Sequence, residues 1–85
     1  MPKNTTKYNQ NYLRTPEFKC LLLKIANQIL HLRKHKKMSQ QTLAKKIGTT
    51  QSNIARMEAG NQNFSLATLG KLADVFGKRL EVNFR

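Results

Sequence analysis

The sequence lacks most of the features that stabilise or anchor very small proteins. Its 85 residues include one cysteine, Cys20, so no internal disulfide can form, and no His/Cys cluster has the spacing of a zinc site. The longest apolar run, Leu21 to Leu23, ends at Lys24, which argues against a membrane span. Residues 1–14 are polar, which argues against a secretory signal. We therefore expect one small cytoplasmic domain that gains stability by oligomerisation.

Acidic residues are also scarce. Four Asp and Glu stand against sixteen Lys and Arg, which gives a formal net charge of +12. A folded chain with this imbalance repels itself unless a polyanion or an acidic partner neutralises it. The charge therefore predicts nucleic acid as the first candidate partner.

Apolar spacing and capping residues predict a helical domain over residues 15–77. Thr15, Ser39 and Ser65 stand at N-cap positions, while Gly48 and Gly77 stand where the second and last helices end. The first helix runs to about residue 36, with a break inside it left open, and its buried apolar stripe is expected to contain Phe18, Leu21, Leu22, Ile25, Ile29 and Leu32. The predicted helices cover residues 16–36, 40–47, 51–58 and 66–76.

Both ends of the chain differ from this helical region. Leu80, Val82 and Phe84 alternate with polar residues, which predicts a strand within residues 78–85. Its ladder partner is expected to be a second copy or residues 1–14, and we favour the second copy because two-fold oligomers are the commonest. Residues 1–14 themselves are too polar to order and predict a flexible basic arm.

The segment between the first and third helices contains a recognisable motif. Its members recur at fixed spacing: Arg33, Ser39-Gln40, Leu43-Ala44, Gly48, Ile54, Glu58 and Gly60. With these residues the chain resembles the phage-repressor-like (Xre-type) helix-turn-helix family over residues 29–77. The resemblance implies an all-α, lambda-repressor-like bundle of four to five helices that binds duplex DNA, to which the predicted strand adds a dimer contact.

The third helix is expected to contact bases, because a B-DNA major groove about 12 Å wide admits one α-helix. Ile54 and Met57 occupy its inner face, so Ala55 and the predicted base-reading residues point outward: Thr50, Gln51, Ser52 and Arg56. Glutamine can pair bidentately with adenine, and arginine with guanine. The alternative is an ordinary solvated helix face.

Other residues are expected to position this helix or to contact phosphates. The resemblance implies that Gln40 contacts a phosphate and supports Gln51. It also implies that Arg33 and Glu58 form a partly buried ion pair, the alternative being an exposed pair that contributes little. We expect further phosphate contacts from Lys45, Asn53, Asn61 and Asn63.

Catalytic and metal-binding chemistry is not predicted. His31 and His35 lie four residues apart, but no third ligand lies near them in sequence. Cys20 lies among apolar helix residues and is expected to be a buried hydrophobe rather than a nucleophile. The lone candidate acid for a Ser/His/Asp set, Asp74, lies on the last helix. We therefore expect no enzymatic activity, no metal and no cofactor.

The order of helices and terminal strand is similar to that of the HigA-type antitoxins and their single-domain relatives. This resemblance implies a repressor that binds an inverted-repeat operator as a homodimer and pairs with a cognate toxin protein. Tyr8 and Tyr12 in the N-terminal arm match no motif of that family. Two alternatives stay open: a phage or restriction-system regulator without a toxin, and a protein-interaction adaptor like the bridging coactivators of the same fold.

Overall fold

The computed structural model of the protein describes residues 12–85 and contains four α-helices in this part of the chain. Their bounds are α1 Pro16–His35, α2 Gln40–Ile47, α3 Gln51–Glu58 and α4 Leu66–Val75. The all-α fold class is confirmed, and α1 is continuous. None of the helices over residues 12–85 is both long and apolar enough to cross a membrane.

A Ser or Thr begins each helix and satisfies one of its free backbone N–H groups. In every case the side-chain oxygen accepts a hydrogen bond of 3.0 to 3.2 Å from the N–H three residues later. The four capping residues are Thr15, Ser39, Thr50 and Ser65. Each such cap stabilises its helix by about 1 kcal/mol.

Each helix is also followed closely by a residue with left-handed backbone. The N–H groups of that residue and of the next one donate hydrogen bonds to carbonyl oxygens of the last helical turn. Three of these residues are glycines, and Gly60 has a second reason to be one. A β-carbon there would lie 2.7 Å from Leu23 Cδ2 of α1, so the end of α3 packs directly on α1. After α1 the left-handed position is occupied by Lys37, with φ of 57°.

The hydrophobic core lies where α2 and α3 pack against each other and against α1 and α4. Leu43 of α2 and Ile54 of α3 are fully buried, and Phe76 covers them from the end of α4. Burying side chains of this size contributes about 1.5–3 kcal/mol each. The core therefore fixes the angle between α2 and α3, and with it the orientation of the exposed face of α3.

The predicted strand over residues 78–85 is not formed in the single chain, where this tail has no regular secondary structure. A strand needs a backbone partner, and residues 12–77 offer no extended segment to pair with it. Leu80, Val82 and Phe84 are 38%, 62% and 97% exposed in the single chain. Pairing with a second copy stays a prediction.

Two expectations for α1 are wrong. The buried line of α1 passes through Leu22, Ala26, Ile29 and Arg33, and it leaves Cys20 exposed and Leu21 about half exposed. The cysteine is therefore not a core residue.

The flexible basic arm predicted for residues 1–14 falls largely outside the described residues, which begin at Tyr12. Of the three described residues of this segment, Tyr12 contacts the start of α1. The Tyr12 carbonyl accepts hydrogen bonds from the N–H and hydroxyl of Thr15, and its ring packs edge-on against Phe18 at 5.2 Å between centroids. α1 itself begins at Pro16 after the Thr15 cap, as the sequence predicts.

Replacing Lys37 by Gly is expected to raise the free energy of unfolding by about 0.5–1 kcal/mol. A left-handed backbone at an L-residue costs roughly 1–2 kcal/mol, and the greater freedom of glycine in the unfolded chain offsets part of the gain. Urea denaturation of Lys37→Gly and Lys37→Ala checks this. The alanine variant removes the same charge but keeps the β-carbon, so equal effects of the two variants would contradict the backbone explanation.

Candidate nucleic-acid interface

The outward face of α3 presents the predicted base-reading residues together. Ile54 and Met57 are buried against the core, whereas Gln51, Ser52 and Arg56 are exposed and Ala55 is half-buried. Thr50 is also exposed, and its hydroxyl oxygen accepts the hydrogen bond that caps α3. The arrangement is a short helix with one apolar side held by the protein and one polar side open to a partner.

Arg33 and Glu58 form a bidentate ion pair that connects the end of α1 to the end of α3. Arg33 Nε lies 2.6 Å from Glu58 Oε2, and Nη2 lies 3.1 Å from Oε1. The third guanidinium nitrogen, Nη1, donates to the Met38 carbonyl oxygen at 2.8 Å. The two side chains are only 10% and 6% exposed, so this pair is not the weak surface contact of the alternative interpretation.

Gln40 extends this pair into a hydrogen-bonded chain that ends at α3. Its Nε2 donates to Glu58 Oε1 at 3.0 Å, and its Oε1 accepts from Gln51 Nε2 at 3.2 Å. One Nε2 hydrogen of Gln51 is used in this contact, which leaves its second hydrogen and its Oε1 facing outward. A donor and an acceptor side by side are what the N7 and N6 groups of adenine require.

Of the five residues predicted to contact phosphates, Gln40 is hydrogen-bonded to Glu58 and Gln51, and the other four fall into two groups. Lys45, Asn61 and Asn63 are exposed, which suits a contact with a DNA backbone. Asn53 is half-buried, and its Nδ2 donates to Thr49 Oγ1 at 2.8 Å. Asn53 is therefore engaged within the protein, and its phosphate role is the weakest of the set.

One residue in contact with this surface that the sequence does not single out is Gln62, in the loop after α3. Its Oε1 accepts a hydrogen bond from Arg56 Nε at 3.1 Å. Nothing in the run Asn61-Gln62-Asn63 distinguishes the middle amide from its neighbours, because the contact depends on how the loop folds back over α3.

The charge distribution on α2 and α3 favours an anionic partner. Glu58 is the one acidic residue in these two helices, and Arg33 neutralises it. Lys45, Lys46 and Arg56 are exposed on the same two helices. The described residues contain no group of three or more His, Cys, Asp or Glu that could hold a metal ion, and His31 and His35 lie exposed on α1.

Comparison with known proteins agrees with this geometry. A family model described as helix-turn-helix matches residues 29–83. A search of curated proteins found no match. Among solved structures, the chain is similar to the restriction-modification controller protein C.AhdI from Aeromonas hydrophila, with a TM-score of 0.68 and 33% sequence identity. That similarity covers 72% of this chain and 88% of C.AhdI.

Proposed function

Because the chain belongs to the helix-turn-helix family and is a DNA-binding transcriptional regulator, we propose that it is the homodimeric controller of a restriction-modification system. In this proposal it binds an inverted-repeat operator, needs no cofactor and has no enzymatic activity. The observation that carries the proposal is the exposed face of α3, on which Gln51 is bonded to Gln40, and Gln40 to the buried Glu58. The controller role is supported by the likeness to C.AhdI over most of both chains.

Sequence specificity in this proposal comes from two chemically different side chains on α3. Gln51 offers the donor and acceptor that suit adenine, and Arg56 offers the paired donors that suit guanine. Each good bidentate contact discriminates against a wrong base by about 1–3 kcal/mol. Ser52, between them on the exposed face, is short and tolerates either base.

Affinity in this proposal comes mainly from charge. The net charge of +12 attracts any duplex, and each neutralised phosphate contributes a slope of about −0.9 in log K against log salt. Specific and nonspecific complexes should therefore both weaken steeply as salt rises. The difference in affinity between the specific and the nonspecific complex then measures the contribution of the base contacts on α3.

A homodimer is supported by an apolar groove of about 990 Å³ on a different part of the molecule. Residues 40–58, which form α2, the turn and α3, do not line it. Most of the residues that line it are apolar and belong to α1, α4 and the tail, among them Phe18, Leu21, Ile25, Leu69, Phe76 and Leu80. A second copy that covers this groove by two-fold symmetry leaves both α3 helices free for major grooves about 34 Å apart.

Selection of bound fragments from random duplex DNA tests the proposed function. We expect the retained fragments to share an inverted repeat. Arg56→Ala is expected to lose about 1–3 kcal/mol on that repeat and little on random DNA, because it removes a base contact. The control Lys45→Ala removes a predicted phosphate contact and should weaken both equally. An equal loss on both DNAs for Arg56→Ala would show that Arg56 contacts only phosphate, and no enriched sequence would overturn the proposal.

Analytical ultracentrifugation tests the dimer contact. Replacing Leu80 and Phe84 together by Ser is expected to shift the protein to monomer. In a strand these two apolar residues lie on the same face, the one that would contact the partner. The matched control replaces Arg79 and Asn83, the neighbouring polar positions, by Ser and should stay dimeric. If the first variant remains a dimer with unchanged operator affinity, the tail is not the dimer contact.

The second candidate function is an antitoxin that represses its own operon. The observation in its favour is the same exposed apolar tail, which a toxin could cover by adding a strand. Neighbouring genes distinguish the two: a methyltransferase and an endonuclease support the controller, and a toxin whose lethality this chain suppresses supports the antitoxin. The adaptor alternative predicts duplex binding without sequence preference in the selection experiment.

A further inference from the structure

The side chain of Arg56 is fixed before any DNA binds. Its Nε donates to Gln62 Oε1 at 3.1 Å, and its Nη2 donates to Asn53 Oδ1 at 3.4 Å. Both acceptors lie on the same edge of the planar guanidinium group, the edge formed by Nε and Nη2. An exposed arginine without such partners samples many rotamers, so these two contacts restrict where its free end points.

The contact with Asn53 is itself oriented by a third residue. Asn53 Nδ2 donates to Thr49 Oγ1 at 2.8 Å, and this bond turns Oδ1 toward Arg56. A flipped amide would instead place an N–H group against a guanidinium that can only donate. The contact of Asn53 with Thr49 in the turn and its contact with Arg56 near the end of α3 therefore require the same orientation of the Asn53 amide.

Counting donors shows what Arg56 has left for a ligand. Arginine carries five N–H donors, and two of them are used by Gln62 and Asn53. The remaining three lie on Nη1 and Nη2, at the end of the side chain. Two parallel donors at that end match the O6 and N7 acceptors of guanine.

We propose that Gln62 is a positioning residue that sets the specificity of Arg56 for guanine, by holding the Nε edge so that the Nη1/Nη2 end meets the base. This inference rests on the proposed function and adds to it a residue outside α3. Asn53 holds the neighbouring donor of the same edge and acts through Arg56 in the same way.

Discrimination between the selected operator and the same operator with its guanine replaced tests the inference. Gln62→Ala is expected to lower that ratio by about 2- to 12-fold, the effect of leaving one long side chain to be ordered on binding. Gln62→Glu keeps an acceptor oxygen and should keep the ratio, although its negative charge lowers affinity for all DNA. In an Arg56→Ala background, Gln62→Ala should change the ratio no further.

The control Asn27→Ala removes an exposed side-chain amide of α1 that does not line the proposed dimer groove, and it should leave the ratio unchanged. A loss of ratio in Gln62→Ala with unchanged unfolding free energy supports positioning rather than a structural role. If Gln62→Ala discriminates as well as the wild type, or loses the same ratio in the Arg56→Ala background, the inference is overturned while the proposed function stands. If the wild type itself prefers no sequence, both fail together.

Discussion

The buried pair of Arg33 and Glu58 is the interaction on which the site depends. It joins the end of α1 to the end of α3, and through Met38 it also holds the turn into α2. A carboxylate at the end of α3 would repel phosphates if it were exposed and unpaired. Paired and almost fully buried, it becomes the acceptor that orients Gln40, and Gln40 in turn orients Gln51. The same contact therefore serves the fold and the surface that meets DNA.

This arrangement separates the residues that attract DNA by charge from the residues whose positions are held by hydrogen bonds. The basic side chains of α2 and α3 are exposed and attract any duplex, while the side chains of Gln51, Asn53 and Arg56 in α3 and of Gln62 in the following loop make hydrogen bonds within the protein. Gln51 and Arg56 are each tied to the rest of the protein by one edge and left free at the other. Such preorganisation lowers the entropy lost on binding, and in the proposed function it makes specificity depend on residues that never touch a base.

Sequence alone predicted the helices well because their ends are set by local rules. Thr15, Ser39 and Ser65 cap where predicted, and Gly48 and Gly77 adopt the left-handed backbone that their positions suggest. The features that the sequence did not predict depend on contacts between distant segments of the chain. The exposure of Cys20 follows from which line of α1 faces α3, and the contact of Gln62 with Arg56 follows from the path of a loop. The tail could not be predicted from one chain, because a strand is defined by its partner.

A double-mutant cycle on the ion pair, followed by urea denaturation, tests the central claim most directly. Arg33→Met leaves the Glu58 carboxylate buried without its partner and is expected to lower the free energy of unfolding by about 3–5 kcal/mol. The double variant Arg33→Met with Glu58→Leu removes both charges and should recover most of that loss. The account would be contradicted if Arg33→Met lowered the free energy of unfolding by less than about 1 kcal/mol and this loss added to that of Glu58→Leu. An exposed ion pair gives a loss of that size.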